Sequence, residues 1–146
     1  MRRAAIRLLG ALVFTTASAM AESAGPTERE LHNASCIAAL SVKADDLARR
    51  IRAGQPELKP LLMVTLDAGA AFIGNAYLQG DRDEARSQAQ LDAALQAQKA
   101  LSDVDLALRQ AGCAKEGERL LSEADLLGRA VISRFSQRRL QKLLGD

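Results

Sequence analysis

Two cysteines, Cys36 and Cys113, carry the most clearly defined chemistry in this 146-residue chain. Neither belongs to a C-x-x-C redox pair or to a C-x-x-C-H haem attachment motif. Two lone cysteines in an exported protein most often pair, so we predict a Cys36–Cys113 disulfide, the alternative being two buried free thiols. In the chain-entropy account, closing so long a loop stabilises the fold by at most about 4–5 kcal/mol.

The other reactive side chains form no recognisable catalytic or metal site. His32 is the one histidine in the sequence, which excludes a site with two imidazoles, and the nearby Ser35 lacks an oriented base. The metal-binding spacings H-x-x-x-H and H-E-x-x-H are missing, so we predict no metal and no cofactor. Asp67 and Tyr77 are the best remaining candidates for acid–base chemistry, but we interpret Asp67 as a structural carboxylate. We therefore predict that the protein is not an enzyme.

The expectation of export comes from the start of the chain. Three arginines within the first seven residues precede an apolar run at 8–14, and small residues precede cleavage positions after Ala21 or, second in preference, Ala19. The apolar run is shorter than the ~20 residues that cross a bilayer. We predict a cleavable signal peptide at 1–21, a short disordered linker at 22–26, and a periplasmic or secreted protein.

Removing the leader changes the charge balance of the protein. The whole chain has a net charge of +2, but Arg2, Arg3 and Arg7 leave with the leader, so 17 basic residues face 18 acidic ones. Nucleic-acid binding requires clustered positive charge, so we predict no nucleic-acid partner.

Residues 27–146 are predicted to form one all-α domain, an antiparallel bundle of about four helices. No segment has the period-two alternation of a strand, whereas apolar residues recur at spacings of three and four. Short connections between such helices are typical of antiparallel bundles. The predicted helices span 27–53, 56–79, 82–111 and 115–144.

Local signals set the expected ends of these helices. Thr27 with Glu30 forms a capping box, and Asp81 with Glu84 is predicted to form a second one. Gly112 is expected to end the third helix as its C′ residue. Ser102-Asp103 could interrupt that helix, because both residues favour caps over helix interiors.

This simple register conflicts with the predicted disulfide. Cys113 would lie at one end of the bundle and Cys36 about 25 Å below that end, at roughly 1.5 Å per residue. A disulfide requires Cα atoms within about 7 Å. We keep the disulfide and expect either that helix one crosses steeply or that helix three bends at Ser102.

The second helix has the longest apolar stretch, Leu61 to Leu78. A transmembrane span is one interpretation, and the central helix of a bundle, which we favour, needs the same all-round apolarity. Within it, Gly69 and Gly74 form a smooth patch. We expect this patch to pack closely against the alanine-rich third helix, with a groove for a ligand or partner as the alternative.

The last predicted helix is basic near its end, with Arg134, Arg138, Arg139 and Lys142 accompanied by apolar residues. Cations at a helix C-terminus complement the macrodipole, and this is our first interpretation. The alternative is docking on an anionic membrane surface, as basic amphipathic helices do.

These observations predict an exported, non-catalytic binding or accessory protein of the cell envelope. Its partner would be another envelope protein or an anionic membrane surface. The candidate binding surface is Gly69 and Gly74 together with the basic residues of the last helix. The first and last predicted helices have apolar residues on more than one face, so a homodimer is a further possibility.

Overall fold

The computed structural model describes residues 25–145, so the predicted signal peptide and cleavage sites lie outside the described residues. The described part contains five α-helices, one short 3-10 helix and no strand. The all-α bundle is therefore confirmed, with five helices where about four were expected. The helices are α1 (Glu28–Arg52), α2 (Lys59–Leu78), α3 (Glu84–Lys99), α4 (Asp103–Glu123) and α5 (Leu126–Leu144), and the 3-10 helix is Pro56–Leu58.

The start of α1 follows the capping box predicted from the sequence. The Thr27 amide donates to the Glu30 carboxylate at 2.6 Å, and the Glu30 amide donates to the Thr27 hydroxyl at 3.2 Å. Pro60 lies in the first turn of α2, where a missing N–H costs no helical hydrogen bond. The predicted second capping box is wrong, because the N-cap of α3 is Asp83, which accepts from the Arg86 amide at 3.0 Å.

Two side-chain caps explain the extra helix. The predicted third helix is divided at Ser102, whose hydroxyl accepts from the Asp105 amide at 3.1 Å and starts α4. The predicted fourth helix is divided at Asp125, which accepts from the Gly128 amide at 2.7 Å and starts α5. Gly112 was wrongly predicted as a helix end and lies inside α4. A side-chain N-cap stabilises the start of a helix by about 1 kcal/mol, which favours a new helix over continuation of the preceding one.

The central helix is α2, which packs against α1, α4 and α5, whereas α3 packs mainly on α1. The segment Pro56–Leu78 is long and apolar enough to cross a membrane, with a mean hydropathy of 1.4. The core helix of a globular bundle passes the same test, and eight residues of α2 are buried between its neighbours. They are Leu62, Thr65, Leu66, Ala68, Ala70, Ala71, Phe72 and Gly74.

Small residues allow α2 to approach its neighbours closely. The helices that pack on Gly69 and Gly74 differ from the one predicted from the sequence. A Cβ on Gly74 would lie 2.8 Å from the Ile132 side chain of α5, and one on Gly69 would meet Leu40 of α1 at 3.7 Å. The expected packing of this patch against the third helix is therefore wrong. The tightest approach is at Gly117 of α4, where a Cβ would lie 2.5 Å from the backbone oxygen of Ala68.

Candidate functional site

The disulfide joins α1 to α4 at positions inside both helices. Cys36 and Cys113 have Cα atoms 5.2 Å apart, and both residues are buried. The helix break at Ser102 resolves the register conflict, because it moves Cys113 from a helix end to the interior of α4. The predicted pairing is confirmed, and a structural disulfide is typical of oxidising compartments.

A histidine and a glutamate cover this disulfide. His32 Nε2 lies 2.8 Å from Glu116 Oε2 and 3.9 Å from the Cys36 sulfur. The imidazole also packs edge-on against the buried Phe72, with ring centroids 6.3 Å apart. The sequence did not predict this cluster, because Glu116 is far from His32 in the chain. Two helical spacings could have predicted the cluster. His32 is four residues before Cys36, and Glu116 is three residues after Cys113, so each polar side chain lies beside a cysteine on its own helix.

A separate apolar groove of about 450 Å³ lies where α1, α2 and α3 meet beside α5. This volume is within the ~300–1,000 Å³ typical of ligand sites. The second half of α2 contributes Ile73 and Tyr77, which are 37% and 43% exposed. The other large apolar side chains that line the groove are Ile37, Leu91 and Phe135.

Aromatic contacts organise one wall of the groove. The Tyr77 and Phe135 rings meet edge to face, with centroids 6.5 Å apart. Arg82 lies over the Tyr77 ring, its guanidinium carbon 4.8 Å from the centroid, in a cation–π arrangement. The α2–α3 connection thus places a cation at the mouth of an apolar groove.

An ion pair that includes Glu30, one of the residues lining the groove, joins α1 to α3. Arg86 of α3 donates to Glu30 of α1 at 3.1 Å and to the Gly25 carbonyl at 3.0 Å. Hydrogen bonds from the Thr27 backbone and side chain, together with the Arg86 charge, lower the pKa of Glu30 below its ordinary value. Glu30 is therefore ionised at neutral pH and holds α3 against α1.

The other predicted site residues are distributed over different surfaces. Asp67 lies in a cleft between α4 and α5, lined also by Glu118 and Arg129, whereas Tyr77 lines the apolar groove. The structure therefore does not bring Asp67 and Tyr77 into one site. Gly74 is buried beneath Ile132, which removes it from the accessible surface.

The basic residues of α5 are divided between the surface and an interhelical contact. Arg139 donates to Asp45 of α1 at 2.7 Å, whereas Arg134, Arg138 and Lys142 are exposed. The apolar side of α5 packs into the bundle through residues that include Ile132, Leu140, Leu143 and Leu144.

Comparison with known proteins adds no assignment. The chain matches no protein-family model, no curated protein and no solved structure. Hypotheses about function therefore rest on the geometry of the described residues.

Proposed function

We propose that this protein is an exported, non-catalytic binding protein of the cell envelope, and that the apolar groove beside Tyr77 is its binding site. The observation that carries this proposal is the exposure of Ile73 and Tyr77 within one groove. Large apolar side chains that line a concave surface with a polar rim are typical of sites that bind a ligand or another protein.

The proposed ligand is an apolar helical segment of an envelope protein, flanked by basic residues. Helix-in-groove recognition uses such a surface, with apolar side chains inserted between neighbouring helices. Two acidic residues that line the groove, Asp81 and Glu84, outnumber the cation at its mouth, Arg82, and therefore favour basic residues on the partner. The disulfide favours an oxidising location, which is consistent with export.

Groove binding is tested with a neutral apolar fluorophore, N-phenylnaphthylamine. We expect the protein to bind this probe and Ile73→Asp to bind it at least about tenfold more weakly, since burial of an isoleucine contributes roughly 1.5–3 kcal/mol. The matched control is Val104→Asp, which changes an apolar residue that is 68% exposed on α4, outside the groove. Equal affinity in the wild type and in Ile73→Asp would contradict the proposal.

The partner class is tested by crosslinking in envelope material. A photoreactive benzoylphenylalanine at position 77 should crosslink to an apolar helical segment with basic flanks, and N-phenylnaphthylamine should compete with the reaction. The same group at position 104 is the control. Crosslinks of equal yield at both positions, or crosslinks that the probe does not reduce, would argue against the groove.

A second candidate function, docking on an anionic membrane surface, is favoured by the start of α5. Leu126 and Leu127 are 88% and 64% exposed, and Arg134 and Arg138 lie further along the same helix. A helix that carries both exposed leucines and cations resembles interfacial helices in its composition.

Vesicle sedimentation tests this second function. We expect Arg134→Glu with Arg138→Glu to reduce binding to phosphatidylglycerol vesicles on the order of tenfold or more, at about 1 kcal/mol per cation near the surface. The control, Arg52→Glu with Lys59→Glu, makes the same change in net charge outside α5. Equal losses in both variants would show that only net charge matters and would refute docking through α5.

A further inference from the structure

The residues around the disulfide suit a second role when the disulfide is reduced. We propose that, once the Cys36–Cys113 disulfide is reduced, His32, Cys36, Cys113 and Glu116 form a four-ligand site for a zinc ion. This proposal does not depend on the proposed binding function, because the cluster and the groove are lined by different residues.

The helical spacing gathers the ligand atoms of His32, Cys36 and Glu116, and the disulfide places Cys113 next to this group. His32 and Cys36 are four residues apart on α1, and Cys113 and Glu116 are three apart on α4, so each pair shares a helix face. The helices meet at the cysteines, where the Cα atoms are 5.2 Å apart. The potential ligand atoms of His32, Cys36 and Glu116 already lie within 4.8 Å of one another.

Two of the distances between these atoms are close to those of a tetrahedral zinc site. Ordinary zinc bond lengths give edges of about 3.4 Å between nitrogen and oxygen ligands and about 3.5 Å between nitrogen and sulfur. The observed separations from His32 Nε2 are 2.8 Å to Glu116 Oε2 and 3.9 Å to the Cys36 sulfur. These two distances need to change by about half an ångström. In addition, the Cys113 side chain has to rotate so that its sulfur approaches His32 and Glu116 and lies about 3.8 Å from the Cys36 sulfur.

The ligand chemistry selects the kind of metal. Two thiolates and an imidazole favour zinc over magnesium or calcium, which prefer oxygen. The carboxylate makes Cu(I) a poorer match, because that ion prefers an all-sulfur environment. A set with one histidine, two cysteines and one carboxylate is therefore best suited to Zn²⁺.

Reduction and metal binding form a balanced sequence. A dithiol reductant transfers two electrons to the Cys36–Cys113 bond, gives two thiols, and is itself oxidised to a disulfide. Zinc then replaces the two thiol protons, which are released to solvent, while Glu116 ligates as a carboxylate and His32 as a neutral imidazole. The same two helices are thus crosslinked either by a covalent bond or by a metal ion.

The surroundings fit a metal site that opens to solvent on one side. The side chains of His32 and Glu116 are 53% and 34% exposed, whereas Cys36 and Cys113 are buried. Phe72 packs edge-on against one side of the imidazole. An ion can therefore enter past the histidine and reach sulfurs that are shielded from water.

Cobalt(II) provides the spectroscopic test, because it replaces zinc and reports thiolate ligation in a tetrahedral field. The full chain is reduced with a phosphine, desalted without oxygen, and titrated with Co²⁺. We expect one Co²⁺ per chain, with thiolate charge-transfer and tetrahedral d–d absorption that Zn²⁺ abolishes, and no such spectrum from the oxidised protein. Circular dichroism of the loaded protein should show the helical content of the oxidised form.

Surface variants identify the two non-sulfur ligands without removing the disulfide. His32→Ala and Glu116→Gln should each weaken Co²⁺ binding by at least about tenfold, because loss of even a residue that only supports a ligand costs roughly 10–100-fold in affinity. Glu118→Gln, an exposed change on the same helix, is the control and should bind as the wild type does. Three results would overturn the proposal: no thiolate–cobalt spectrum, unchanged affinity in both variants, or a loaded protein with less helix than the oxidised form.

Discussion

Replacing Gly117 by alanine is expected to lower the free energy of unfolding by about 1–3 kcal/mol, the range found for overpacked cores. A Cβ at this position would lie 2.5 Å from the Ala68 oxygen and 2.8 Å from the Ala68 Cα. These are backbone atoms of the central helix, so no side chain can rotate away. Helices α2 and α4 would have to move apart. Urea denaturation of the purified variant measures the loss.

Gly112 provides a matched control on the same helix. A Cβ there meets nothing within 4 Å. Gly112→Ala should therefore raise stability, by up to about 1 kcal/mol, through helix propensity alone. If the two alanine variants had equal stabilities, the close approach of α4 to α2 would be wrong.

Removing the disulfide is expected to have the largest effect. The double variant Cys36→Ala with Cys113→Ala should lose about 2–5 kcal/mol of unfolding free energy, because the crosslink restricts an unfolded loop. The cysteines are 77 positions apart in sequence, so the chain-entropy effect lies near the upper end of that range. Denaturation curves of the oxidised protein and the double variant give the difference.

Reduced wild-type protein is the control for this second prediction. Without metal it should unfold at nearly the same denaturant concentration as the double variant, because both lack the crosslink. Equal stability of the oxidised protein and the double variant would show that the disulfide does not support the bundle.

Local chemistry in the sequence predicted much of the fold. The capping box at Thr27 and the propensity of Ser102 to interrupt a helix depend on neighbouring residues, and both have the expected partners in the structure. Gly112 misled the prediction, since an exposed glycine inside α4 looks like a helix end when only its neighbours are considered. The disulfide followed from compartment and cysteine number rather than from geometry.

The candidate sites could not be predicted in the same way. The approach of Glu116 to His32 and of Phe135 to Tyr77 depends on how each helix is rotated about its axis. That rotation is set by packing contacts such as Ile132 on Gly74, between residues far apart in sequence. A pattern of apolar residues defines which face of a helix is buried, but not which neighbour covers it.

Tyr77 gives the protein an intrinsic optical reporter. The chain contains one tyrosine and no tryptophan, so its ultraviolet emission comes from a single phenol. That phenol lies in the apolar groove, between Phe135 and the Arg82 guanidinium. A molecule that enters the groove and contacts this ring is expected to change the intensity of its emission, so occupancy can be followed in the unlabelled wild-type protein.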